Sequence, residues 1–92
     1  MKYNIPERVL KDISAFAKKY SINKVILFGS RAKGTARERS DIDIAVSGVK
    51  EFDLLAEEIE DLPTLYSVDL VNMDTCKNQL LLEDIREYGR KI

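Results

Sequence analysis

Apolar side chains recur along this chain with two different periods, and the change from one period to the other lays out a fold. Val9, Leu10, Ile13, Phe16, Ala17 and Tyr20 return at steps of three and four, with Lys11, Asp12, Lys18 and Lys19 on the other side. That spacing predicts an amphipathic helix over residues 6–20, with Asn4 as its cap and Pro6 in its first turn. Residues 24–28, Lys-Val-Ile-Leu-Phe, are a short β-branched and aromatic run suited to a strand buried on both faces. Gly29 ends that run, and residues 30–34 can make one helical turn. Residues 35–40 are polar and basic and read as an exposed loop. Over residues 41–46 the period is two, with Asp41, Asp43 and Ala45 on one face and Ile42, Ile44 and Val46 on the other, which predicts a strand. Phe52, Leu55, Ala56 and Ile59 then predict a helix over residues 51–61, stopped by Pro63, with Glu57, Glu58 and Glu60 outward. Residues 65–71 predict a third strand, Val68 and Leu70 facing one side and Ser67, Asp69 and Val71 the other. Asp74 and Thr75 can cap a last helix that carries Leu81, Leu82 and Ile85 and that Gly89 is placed to end. An edge strand can begin at residues 90–92.

The predicted order is therefore α-β-turn-β-α-β-α, without linker, repeat or low-complexity segment. It fits one small α/β (α+β) domain over residues 1–92, a mixed sheet of three to four strands covered by helices. A chain of 92 residues buries roughly 60–70% of its unfolded surface, enough for one modest core. An apolar fraction of 45% with a net charge of −1 excludes the disordered class, and so small a charge exerts no global pull on nucleic acid or anionic membrane. The chain has no histidine and one cysteine, Cys76, which removes the usual catalytic triads, an internal disulfide and a zinc site. With no long apolar window and no basic-then-apolar leader, a soluble cytoplasmic protein is expected.

Two short motifs carry chemistry. Gly29-Ser30 closes the first strand, where glycine lets a backbone approach a ligand and the following N–H groups and the Ser30 hydroxyl can donate to phosphate. Arg31 and Lys33 add positive charge beside that turn, and Arg37 and Arg39 stand further along the loop, where steering a nucleotide and simple solvation are equally served. Ten residues separate Ser30 from Asp41. Asp41 and Asp43, alternate residues of one strand, point the same way about 6.5–7 Å apart, suited to the roughly 3.5–4 Å metal pair of phosphoryl-transfer sites. If the third strand pairs beside them, Asp69 supplies a third carboxylate. Mg²⁺ matches such oxygen ligands. The bland reading is an ordinary turn and aspartates that solvate strand ends, and a Walker P-loop is absent. Together the parts point to nucleotidyl transfer from a nucleoside triphosphate with two Mg²⁺ ions, Asp69 or a metal-bound acceptor handling the proton.

Phe28-Gly29-Ser30-Arg31-Ala32-Lys33-Gly34 followed by Ser40-Asp41-Ile42-Asp43-Ile44 resembles the signature of the polymerase β-type nucleotidyltransferase superfamily, and in gap and length its minimal branch, the MNT proteins. The resemblance covers most of the chain, including Ser67-Val68-Asp69-Leu70-Val71. It implies that Gly29 and Ser30 bind the triphosphate and that Asp41, Asp43 and Asp69 hold Mg²⁺ and are catalytic. It further implies an antitoxin that transfers AMP from ATP to a tyrosine of a partner HEPN-type ribonuclease toxin. A chain too small for an acceptor lobe agrees with an acceptor that docks from outside. Two alternatives compete: an antitoxin that neutralises by binding alone, for which Leu54-Leu55 and Leu80-Leu81-Leu82 exceed what one helical stripe buries, and transfer to a small molecule or RNA end. An oligomer contact would also use those leucines. Tyr66, Tyr88 and Cys76 are read as structural.

Overall fold

A computed structural model describes residues 5–34, 41–64 and 66–92. The most continuous apolar runs became the middle of the sheet. Strands β1 (Lys24–Phe28) and β2 (Ile42–Ser47) pair antiparallel at its centre, β3 (Val68–Asn72) lies parallel to β2 at one edge, and β4 (Arg90–Lys91) lies antiparallel to β1 at the other. A parallel pair needs a crossover, and helix α3 (Phe52–Glu60) supplies it between β2 and β3. Helix α1 (Glu7–Lys19) precedes the sheet, α2 (Ser30–Lys33) is a single turn after β1, and α4 (Gln79–Tyr88) precedes β4.

The period-two parity of the strands divides the core between the two faces. Val25, Leu27, Ile42, Ile44 and Val46 point to one face and pack under Val9 and Ile13 of α1 and Leu55 and Ile59 of α3. Each fully buried aliphatic side chain there contributes about 1.5–3 kcal/mol. A lateral tie joins the two helices, for Glu58 accepts from Lys19 Nζ at 2.6 Å and from the Tyr20 hydroxyl. That bond pushes the Tyr20 phenol up to about 12. On the second face, Phe28, Ala45 and Ile85 form a smaller cluster with Ile26, Val71, Met73 and Leu81, covered by α4 among the described residues. Among the described residues one helix covers less than two, and Asp69 at the acidic end of this face is exposed.

Helix and strand ends agree with the sequence reading to within a few residues, with two informative exceptions. The last helix was expected to be capped by Asp74 and Thr75. It begins at Gln79, and the side chain of Asn78 accepts from Leu81 N at 3.2 Å. Asp74 instead closes the end of β2, accepting from Ser47 Oγ at 3.0 Å and Gly48 N at 2.8 Å; long-range partners outcompeted a local cap. Gly89 does end α4, but with an extended backbone (φ −63°, ψ 146°) rather than a left-handed one. Space is what it provides, since a Cβ would stand 2.6 Å from Ile26 Cγ2 and 2.2 Å from Ile85 O. The expected Asn4 cap and the loop over residues 35–40 lie outside the described residues. No helix among the described residues is long and apolar enough to cross a membrane.

Candidate active site

Strand β1 runs into Gly29, whose φ of +74° and ψ of −157° lie in a region that is essentially glycine's alone. A side chain there would also collide with the second strand: an added Cβ would lie 2.2 Å from Asp43 Oδ2. So the glycine that closes the first motif exists partly to admit the aspartate of the second. Its carbonyl accepts from Ala32 N and Lys33 N, both at 3.1 Å, which winds α2 directly after the turn. Ser30 is the first residue of that helix and is half-buried.

Asp43 is paired in register with Phe28 on one side and Asp69 on the other. Neighbouring strands are about 4.8 Å apart, so Asp43 and Asp69 share one end of one face. This is the conditional placement that the sequence left open. Burial pushes the Asp43 carboxyl up to about 6, helped by the negative charges of Asp69 and Asp41 and by a hydrogen bond with Asp69; the Arg31 guanidinium works in the opposite direction. Asp41 stands just before β2 and is exposed.

Such crowding of carboxylates favours a cation. Among the described residues, however, no three carboxylate or thiol groups are gathered closely enough to hold a metal ion by themselves. Alternate residues of a strand stand about 6.5–7 Å apart, so Asp41 reaches Asp43 through its field without closing a cage. The donor set fits Mg²⁺, which takes oxygen ligands and completes its shell with waters and substrate phosphates around one or two carboxylates.

The two basic residues of α2 are not aimed alike. Arg31 is buried, its guanidinium 5.0 Å from the centre of the Tyr66 ring. Lys33 turns toward α4, with Nζ 2.8 Å from Asp84 Oδ1 and 4.9 Å from the centre of the Tyr88 ring, and the Asp84 hydrogen bond raises its pKa. Both had been expected beside the phosphate grip. Tyr66 and Tyr88, read as structural, are the rings beneath them, and no periodicity in the chain announced Asp84 as a partner of Lys33. Arg37, Arg39 and Ser40 lie outside the described residues.

A glycine turn leading into a one-turn helix, beside an in-register acidic pair on a mixed sheet, defines the architecture of the polymerase β-like nucleotidyltransferases. Residues 11–92 match the family described as "Polymerase beta, Nucleotidyltransferase", and the chain belongs to that family. It is 40% identical over 65 residues to a putative protein adenylyltransferase of Methanocaldococcus jannaschii, covering 67% of this chain and 65% of that protein. It is 38% identical over 72 residues to the probable protein adenylyltransferase MntA of Haemophilus influenzae, covering 71% and 57%. The chain thus spans less than two thirds of the length of both. Among solved structures, a toxin–antitoxin with AMP-PNP is similar at 25% identity with a TM-score of 0.68, covering 88% of this chain and 69% of that one. A second, of the toxin–antitoxin MntA–HpeT, shares the fold at 22% identity and a TM-score of 0.66, with coverage of 88% and 69%.

Proposed function

We propose that this chain is the donor half of a cytoplasmic protein adenylyltransferase that moves AMP from ATP to a tyrosine of a partner HEPN-type toxin and thereby acts as its antitoxin. One observation carries the reading: Asp43 and Asp69 stand in register at one end of a sheet face, with Asp43 against the Gly29 turn. The names of the relatives, protein adenylyltransferases, and the toxin–antitoxin context of a similar structure support the same direction.

In this reading the bare backbone of Gly29 and the hydroxyl of Ser30 receive the triphosphate, and Asp41, Asp43 and Asp69 hold Mg²⁺. When bound, the metal ions neutralise the charge that builds on the phosphates during transfer. The acceptor oxygen forms a bond to the α-phosphorus as the bond to the bridging oxygen breaks, and pyrophosphate leaves. In this reading Asp69, exposed on its edge strand, takes the proton of the incoming hydroxyl. The partner presents that hydroxyl from outside.

The direct test incubates the chain with labelled ATP, Mg²⁺ and the purified toxin encoded beside it, followed by intact-mass measurement. Mass added to the toxin in whole AMP units, lost in the Asp41→Asn, Asp43→Asn double variant, is the expected result. Transfer that survives both substitutions overturns the mechanism. A second reading, neutralisation by binding alone, is favoured by Leu54 and Leu80, which remain 49% and 80% exposed. It predicts that the double variant still silences the toxin.

A further inference from the structure

Arg31 is the one buried charged side chain among the described residues, at 5% exposure. A guanidinium is costly to bury unless opposite charge and specific contacts compensate it. An aromatic ring is among its partners here. The Tyr66 ring lies 5.0 Å from Cζ, inside the range of a cation–π contact, and the positive charge offsets a small part of the burial and acidic repulsion that push the Asp43 carboxyl up. The positions of these partners in the chain matter. Arg31 follows Ser30 directly, while Tyr66 leads into β3, whose Asp69 stands beside Asp43.

We propose that Arg31 is a positioning residue rather than a phosphate ligand: clamped on Tyr66, it ties the Gly29–Ser30 turn to the segment that leads into the strand carrying Asp69. The nearby Lys33 makes the contrast plain. Lys33 also lies over a tyrosine, but it is exposed and paired with Asp84 on the α4 side, so it pins α2 without touching the acidic cluster. Arg31 instead reaches the residue that leads into β3. A lysine there would keep the charge but lose the flat stack on the ring. The catalytic consequence of the clamp rests on the nucleotidyltransferase reading; the clamp itself does not.

The test is a double-mutant cycle on Arg31→Met and Tyr66→Leu, with Tyr66→Phe and Arg31→Lys as conservative controls. Thermal unfolding in EDTA reads the clamp without any catalysis. The two single variants are expected to lower the midpoint, the double variant to lower it by clearly less than their sum, and Tyr66→Phe to match the wild type. In the transfer assay, Arg31→Met and Tyr66→Leu should each reduce kcat about tenfold, between the worth of an exposed and of a fully desolvated cation–π contact. KM for ATP should stay within about threefold, because the ground-state phosphate contacts are intact. A phosphate ligand behaves differently: Arg31→Met raises KM, Tyr66→Leu leaves both constants alone, and the melting effects add. That pattern overturns the proposal. Should Arg31→Met fail to fold, Tyr66→Leu and Arg31→Lys decide alone, and wild-type kcat in Tyr66→Leu is the overturning result. If the wild type itself transfers nothing, the functional reading falls while the melting cycle still judges the clamp.

Discussion

The two faces of the sheet are made from the same three main strands, yet they are built for different ends. On one, two helices close over an unbroken set of aliphatic side chains, and Leu27, Ile42, Ile44 and Leu55 are wholly buried. On the other, a single helix among the described residues covers the half around Ala45 and Ile85, and the remaining half carries Asp43 and Asp69 in register. A domain of this size has marginal stability, so it concentrates apolar packing on one face and places repelling carboxylates on the other. The difference teaches that the acidic end adds repulsion rather than packing, so the opposite face carries most of the stability.

Experiments can break or sharpen that contrast. The largest effect is expected at the acidic end: Asp41→Asn with Asp43→Asn should lower adenylyl transfer on the order of a thousandfold, with no loss of melting temperature in EDTA, since repulsion is relieved. A melting temperature that collapses would show the carboxylates to be structural. The reverse pattern belongs to the packed face. Ile44→Ala should cost about 2–5 kcal/mol of stability, and the milder Ile44→Val about 0.5–1.5, while activity per folded molecule is retained. Denaturant titration beside a transfer assay separates the two quantities.

Gly29 lies between the faces and should lose on both counts. Gly29→Ala forces a Cβ against Asp43 and strains the backbone, so a stability loss of about 1–3 kcal/mol is expected, together with a fall in transfer that Ser30→Ala need not match in stability. Equal melting curves for Gly29→Ala and the wild type would mean that the turn can move away from Asp43.

Smaller still is the pH effect. Asp43 has a folded-state pKa raised from an ordinary 3.8 to about 6, so the folded chain holds a proton that the unfolded chain has released. The resulting stabilisation is fully present below about 3.8 and is lost as pH rises through about 6. Without metal, wild-type stability should therefore fall across that window by on the order of 1 kcal/mol more than that of Asp43→Asn, after allowance for solvent screening. Parallel curves for the two proteins in EDTA would remove Asp43 as the source. Smallest of all is Lys33→Met. Its partly exposed pair with Asp84 is worth about 0.2–1 kcal/mol, and the KM for ATP should hardly move. A large rise in KM would return Lys33 to the phosphate grip.

Much of this was readable from residue periods. The alternation that put Asp43 and Ala45 opposite Ile42, Ile44 and Val46 holds in the structure, because a buried aliphatic face leaves a strand no other register. The run at residues 24–28 and the stripes of α1 and α3 were equally clear. The cap at Asn78 was not, since Asp74 is as good a local signal, and only its contacts with Ser47 and Gly48 show that it was used elsewhere. The fates of Arg31 and Lys33 were illegible for a similar reason. They are two residues apart in one short helix, and their partners, Tyr66 and Asp84, lie far along the chain.

By itself, the sequence determined which residues could form strands and helices, which side of each strand is apolar, and which oxygen-bearing side chains are available for chemistry. Those properties follow from local spacing and from the transfer of side chains out of water. The tertiary structure alone decided that β3 runs parallel beside β2 with Asp69 opposite Asp43, that Gly29 makes room for the Asp43 carboxylate, and that Arg31 is buried on Tyr66 while Lys33 faces Asp84. Each of these is a meeting of groups distant in sequence. Their energies depend on which strands pair and how a helix lies across them, and no local period encodes that.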